Sequence, residues 1–207
     1  MKKLTLLIFL CLGFHIVSAQ DENNDDQIST LFSKNRSNGG YGAFSFSYTQ
    51  INGKDAFLMG ARGSWVIGHS FAIGLGGCGF VDNVDYHGWV NSTPYNSLGG
   101  GYGGLYLEPI IAPRFPVHLS FPILLGVGGI TNMPINQNLD NWIPDETNSD
   151  TYLVFEPAVE LEFNMTHHLR MAATFSYRVT SGISILNTDP DVLEGMTAGL
   201  IFKFGRF

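Results

Sequence analysis

A chain of 207 residues with 44% hydrophobic content holds one domain and one core, which excludes a two-domain organisation. Its formal charge of −7 and the lack of any Lys/Arg cluster exclude a nucleic-acid partner, because that binding rests on neutralising phosphates. With 25 glycines and 16 phenylalanines against 14% charged residues, the composition favours strands over helices.

Residues 1–19 read as a secretory signal peptide: Lys2 and Lys3 form the positive start, Leu4 to Val17 the apolar stretch, and Val17-Ser18-Ala19 the small-residue cleavage pattern. A lipoprotein signal ending at Cys11 fits less well, since Phe9 and Leu10 stand where small residues are wanted. Cleavage before Gln20 leaves Cys78 as the sole thiol, so the exported chain forms no internal disulfide. No apolar run of about 18 residues follows, which excludes a spanning helix. If this chain enters a membrane, it does so as strands. Residues 20–38, with Asp21, Glu22, Asp25 and Asp26, read as a flexible acidic tail, and 39–207 as the folded domain.

From Gly39 the chain alternates with period two in eight successive segments. Phe44, Phe46 and Tyr48 share one face of the first, against Ala43, Ser45, Ser47 and Thr49. The second sets Phe57, Met59, Trp65 and Ile67 against Gly60, Arg62 and Ser64; the third sets Phe71, Ile73, Leu75 and Val81 against Ala72, Gly74, Gly76 and Cys78. The fourth, about 99–112, opposes Leu105, Leu107 and Ile111 to Tyr102, Tyr106 and Glu108. The fifth sets Val117, Leu119, Phe121, Ile123, Leu125 and Val127 against His118, Ser120, Gly126 and Gly128. In the sixth, Leu153, Phe155, Val159, Leu161 and Phe163 face away from Glu156, Glu160 and Glu162. In the seventh, Leu169, Met171, Phe175, Tyr177 and Val179 face away from Arg170, Thr174, Ser176 and Arg178. The eighth sets Met196, Ala198, Leu200, Phe202 and Phe204 against Thr197, Gly199 and Lys203.

Connection lengths alternate as well: short turns at 68–70, 113–116 and 164–167, long polar stretches at 83–98, 131–149 and 180–194, with only the short first connection, Asn52-Gly53-Lys54-Asp55, breaking the pattern. Short periplasmic turns, longer external loops and an even strand count describe an outer-membrane barrel. The pattern predicts an all-β, eight-stranded antiparallel up-and-down transmembrane β-barrel, or a ten-stranded one if a long connection hides a hairpin. Eight strands leave a lumen just wide enough for side chains, and closure removes every unpaired edge from lipid. The lumen takes the small or polar face, with Arg62, Glu108, His118, Glu156, Glu160, Glu162, Arg170, Arg178 and Lys203, and the apolar face meets lipid. Tyr48, Trp65, Phe71, Phe163 and Tyr177 stand near strand ends, where aromatic girdles form. Pro109, Pro122 and Pro157 fall inside strands, remove ladder donors, and leave the registers of strands four to six open, with bulges as one accommodation.

Leu107-Glu108-Pro109 and Phe155-Glu156-Pro157 occupy equivalent places in two successive hairpins, a loose internal repeat. The stretches GYGGLYLEPIIAPRFPVHLSFPILLGVGG at 101–129 and FEPAVELEFNMTHHLRMAATFSYR at 155–178 resemble small outer-membrane β-barrel proteins of Bacteroidetes-type bacteria. More broadly, residues 39–207 resemble the eight-stranded OmpA/OmpX-type barrels by pattern. The resemblance implies an outer-membrane location in a Gram-negative bacterium, contact with outer-membrane lipid and lipopolysaccharide, and insertion by the barrel-assembly machinery, for which Phe207 is the terminal aromatic signal. Phe204 and Phe202 depart from that signal, lying on the other parity from Phe207.

Buried carboxylates need partners, so Arg62, Arg170 and Arg178 are expected to pair with Glu108, Glu156, Glu160 and Glu162 across the lumen. Asp82, Asp85, His87 and Ser92 form the one rim set resembling a hydrolase triad, without a recognised motif around it. His167-His168 lacks a third metal ligand, and the glycines at 99–104 lack the Lys-Ser/Thr of a phosphate loop. Asp140, Asp145, Glu146 and Asp150, and Asp189, Asp191 and Glu194, are acids of solvated loops with divalent cations as the alternative. No cofactor is expected. The functional expectation is a non-enzymatic barrel whose external loops meet an extracellular partner, with a lipid acyl-modifying enzyme or a narrow pore as alternatives.

Overall fold

The computed structural model describes residues 38–51, 53–82, 95–135, 149–185 and 188–207. The signal segment and the acidic tail up to residue 37 lie outside the described residues. Nine strands follow in order: β1 (Asn38–Ile51), β2 (Lys54–Ile67), β3 (Phe71–Asp82), β4 (Tyr95–Ile111), β5 (Val117–Ser120), β6 (Ile123–Ile135), β7 (Ser149–Asn164), β8 (Leu169–Thr180) and β9 (Gly195–Arg206). Every pairing is antiparallel, and β1 pairs with both β2 and β9, so the sheet closes. β5 and β6 lie end to end between β4 and β7, which makes eight staves from nine strands.

The segment read as the fifth strand is divided at Phe121-Pro122 into two. The division answers the question of register. On the β4 side Leu107 faces Ile123 and Ile110 faces Ser120, the same register above and below the break. The β7 side behaves alike, with Ile123 opposite Pro157 and Ser120 opposite Glu160. The prolines therefore interrupt the ladder without adding a residue, and no bulge forms at them. Neighbouring carbonyls are still used: Phe121 N donates to Pro109 O at 2.9 Å and Ala158 N to Pro122 O at 2.8 Å.

Register partners traced once round the ring run from Gly40 through Trp65, Ile73, Leu107, Ile123 and Pro157, then across the β7–β8 gap through Tyr177 and Met196, and reach β1 at Gln50, ten residues along. That stagger over eight staves tilts the strands by roughly 40° and leaves an interior that side chains can fill. At one end the hairpins are tight. Gly68 (φ 58°) and His69 (φ 63°) both take left-handed backbone, the primed turn whose twist matches the strands, closed by Ser70 N to Ile67 O at 3.3 Å. At the other end β4 begins at Tyr95 and β6 runs to Ile135, so the strands reach into the stretches read as loops at 83–98 and 131–149.

The two parities of each strand meet different surroundings. Outward, Phe44 is 59% exposed, Met59 64% and Leu75 69%, with Val127, Leu153, Phe175, Met196 and Phe204 also open. Ile67 departs from its expected place and is buried beside the tight turn. Inward, the filling is layered. Toward the tight turns, Tyr41, Val66, Ala72, Ile110, Ala172 and Ile201 pack together with Phe207. Toward the long connections the interior is apolar, which the expectation of a small or polar inner face missed: Leu58, Phe80, Leu98, Ile130, Tyr152 and Val154 surround Ile183, Ile185, Val192 and Leu193 of the connection after β8. That connection is tied down by Ser184 N to Asp150 Oδ2 at 2.6 Å and Ser181 N to Leu153 O at 3.0 Å.

Candidate functional site

Between the two apolar layers lie the ionised side chains, and Lys203 of β9 is their hub. Its Nζ stands 2.5 Å from Glu108 Oε1, 2.5 Å from Glu162 Oε1 and 2.7 Å from Glu160 Oε2, with all four residues buried. Arg62 of β2 adds contacts to Glu160 at 2.9 Å and Glu108 at 3.6 Å. Arg170 and His118 reach Glu162 at 3.3 and 3.1 Å, and Ser120 Oγ donates to Glu162 at 2.6 Å. Tyr41 donates its hydroxyl proton to Glu108. Three carboxylates thus meet three permanent cations, the balance that keeps buried ions from costing more in desolvation than they return in attraction.

The carboxylate oxygens of Glu108, Glu160 and Glu162 lie within 4.8 Å of one another, a spacing that suits a metal ion. Lys203 Nζ already stands among them and supplies the positive charge.

A second, smaller group lies nearer the long connections. Tyr102 donates to Glu156 at 2.6 Å, Ser176 donates to Glu156 at 2.5 Å, and Arg178 Nη1 donates to the Tyr102 hydroxyl at 3.0 Å. Arg178 Nε donates to Leu193 O at 2.7 Å. The expectation that Arg178 pairs directly with a glutamate is corrected here: the tyrosine hydroxyl relays the contact, and the rest of the guanidinium holds the apolar stopper by its backbone.

All nine ionisable residues singled out from sequence line the interior, in two groups. Sequence reasoning did not foresee that a lysine, rather than an arginine, holds the centre, nor the parts played by Tyr41, Tyr102, Ser120 and Ser176. Their signal was present, because each lies on the inward parity of its strand. Phe207 stacks on Tyr41 with centroids 5.7 Å apart, and Arg170 lies 3.9 Å over its ring, so the terminal aromatic faces the interior.

The rim set does not assemble within the described residues. Asp82 is buried and accepts from Leu98 N at 2.6 Å, a structural bond, whereas Asp85, His87 and Ser92 lie outside the described residues. His167 and His168 are exposed in a turn. Among the loop acids, Asp150 and Asp189 accept backbone N–H bonds, Asp191 and Glu194 sit in the connection after β8, and Asp140, Asp145 and Glu146 lie outside the described residues.

No family model and no curated protein matches the chain. Among solved structures, Neisserial surface protein A matches over 82% of this chain and 96% of its own, with TM-score 0.53 and 9% identity. Ail, the attachment invasion locus protein of Yersinia pestis, matches over 82% and 97%, with TM-score 0.45 and 11% identity. The fold is that of the small outer-membrane β-barrels. On its outer face Trp65 is exposed near the tight-turn end and Tyr177 near the end of the long connections.

Proposed function

We propose that this chain is a sealed, non-enzymatic barrel of a Gram-negative outer membrane, exported behind residues 1–19, and that its rigid body mounts the three long connections for contact with an extracellular partner. The observation carrying this reading is the sidedness of the wall: large apolar side chains cover the outside, and the charges are locked within. A water-soluble barrel needs the reverse arrangement. Binding function on such a body belongs to its loops.

A lumen stoppered at both ends supports the absence of transport. The purified protein in planar bilayers is expected to give no steady single-channel conductance; discrete, ion-selective openings would support the pore reading instead. The interaction role is tested by exchanging residues 83–94 and 136–148 for short Gly-Ser turns. Surface display and heat-modifiable gel migration should persist, while adhesion of whole cells to host-type surfaces falls to the level of a strain lacking the protein. Unchanged adhesion by the exchanged barrel defeats the proposal.

A further inference from the structure

The two charged groups do not pack against each other without a gap. A cavity of about 70 Å³ separates them, its polar wall formed by Ser45 and Ser47 of β1, Arg62 of β2, Glu156 of β7 and Thr197 of β9 and the rest by apolar side chains such as Leu124. Two of these side chains are more than nine-tenths buried and carry an atom with no hydrogen-bond partner in the protein: Arg62 Nε and Thr197 Oγ1.

We propose that this cavity binds a small cluster of water molecules, held by Arg62 Nε and Thr197 Oγ1, that joins the Glu156 group to the Glu160 group. Size, polarity and charge all point to water. A site for one water needs roughly 10–15 Å³ and two or more polar partners, so there is room for several along the polar wall. An arginine Nε requires an acceptor and a hydroxyl accepts or donates, demands that water can meet at each. The walls also offer no unbalanced charge. Arg62 pairs with Glu160 at 2.9 Å, and Glu156 is bonded to Tyr102 and Ser176, with Arg178 one hydroxyl away. A neutral guest fits this balance, whereas an ion upsets it.

The test uses the folded full barrel in detergent micelles and water itself as the probe. Water-to-amide NMR cross-relaxation is expected to show long-lived water beside Ser47 and Thr197, reduced in Thr197→Val. The same variant keeps the side-chain shape and removes one water partner, so denaturant titration should show its unfolding constant raised about five- to tenfold. Absence of long-lived water, with Thr197→Val neutral or stabilised, overturns the proposal, because a dry cavity gains from losing an unpartnered hydroxyl. Amide shifts at these positions that follow chloride or sodium concentration overturn it in favour of an ion. Should Thr197→Val not fold, Ser47→Ala carries the same two measurements with the same expected and overturning results.

Discussion

Replacing Lys203 by methionine is expected to destabilise the barrel by about 3–5 kcal/mol, the range for removing one partner from a buried ionic group. The side chain is 1% exposed and touches three carboxylates from two other staves. Methionine fills most of its volume but leaves Glu108, Glu160 and Glu162 with two permanent cations, Arg62 and Arg170, in place of three. Reversible urea unfolding in lipid vesicles measures the loss. Adding Glu160→Gln restores the count of charges, and the double variant should regain about half of the lost stability, which a double-mutant cycle resolves. A Lys203→Met barrel as stable as the parent would mean that water already screens these acids, and the interior as described would be wrong.

The second large effect is expected on the outside. Leu75 is 69% exposed on the apolar flank, midway along β3. In a water-soluble protein, arginine at an exposed leucine changes stability by no more than about 0.5 kcal/mol. On a flank that faces hydrocarbon the same change costs roughly 2–4 kcal/mol near the bilayer midplane. Leu75→Arg is therefore expected to shift the urea midpoint strongly in vesicles, and Lys54→Arg, exposed beside the first hairpin, to leave it unchanged. Equal, small shifts for both would remove the barrel from the membrane.

Sidedness was legible in the sequence because lipid and lumen select opposite residue types, and a strand shows its two faces on alternate residues. Phe44 and Phe46 against Ala43 and Ser45 state the choice without any tertiary information. The identity of ion partners was not legible. Which acid faces which base depends on the ten-residue stagger of the closed ring, and that stagger is a sum of eight registers, none of them written in one segment. Lys203 reaches Glu108 across 95 residues of chain, a distance that no local pattern spans. The apolar upper interior was hidden for another reason. Around Phe80, Leu98 and Ile130 the inward parity is as greasy as the outward one, so alternation fades where the stopper packs. The prolines misled in one respect only, since a lost ladder donor need not displace the register.

The hub also bears on how the barrel is made. Tyr41 of β1 and Arg62 of β2 stand on one side of the β1–β9 seam, and Lys203 of β9, Arg170 of β8 and the acids of β7 on the other, so only the closed ring brings the whole group together. Until β9 docks on β1, the group lacks part of its members and its acids are best left in water. The ionic group then acts as a latch that engages at the final seam, and the finished cylinder cannot be peeled from that seam without exposing bare charge to oil.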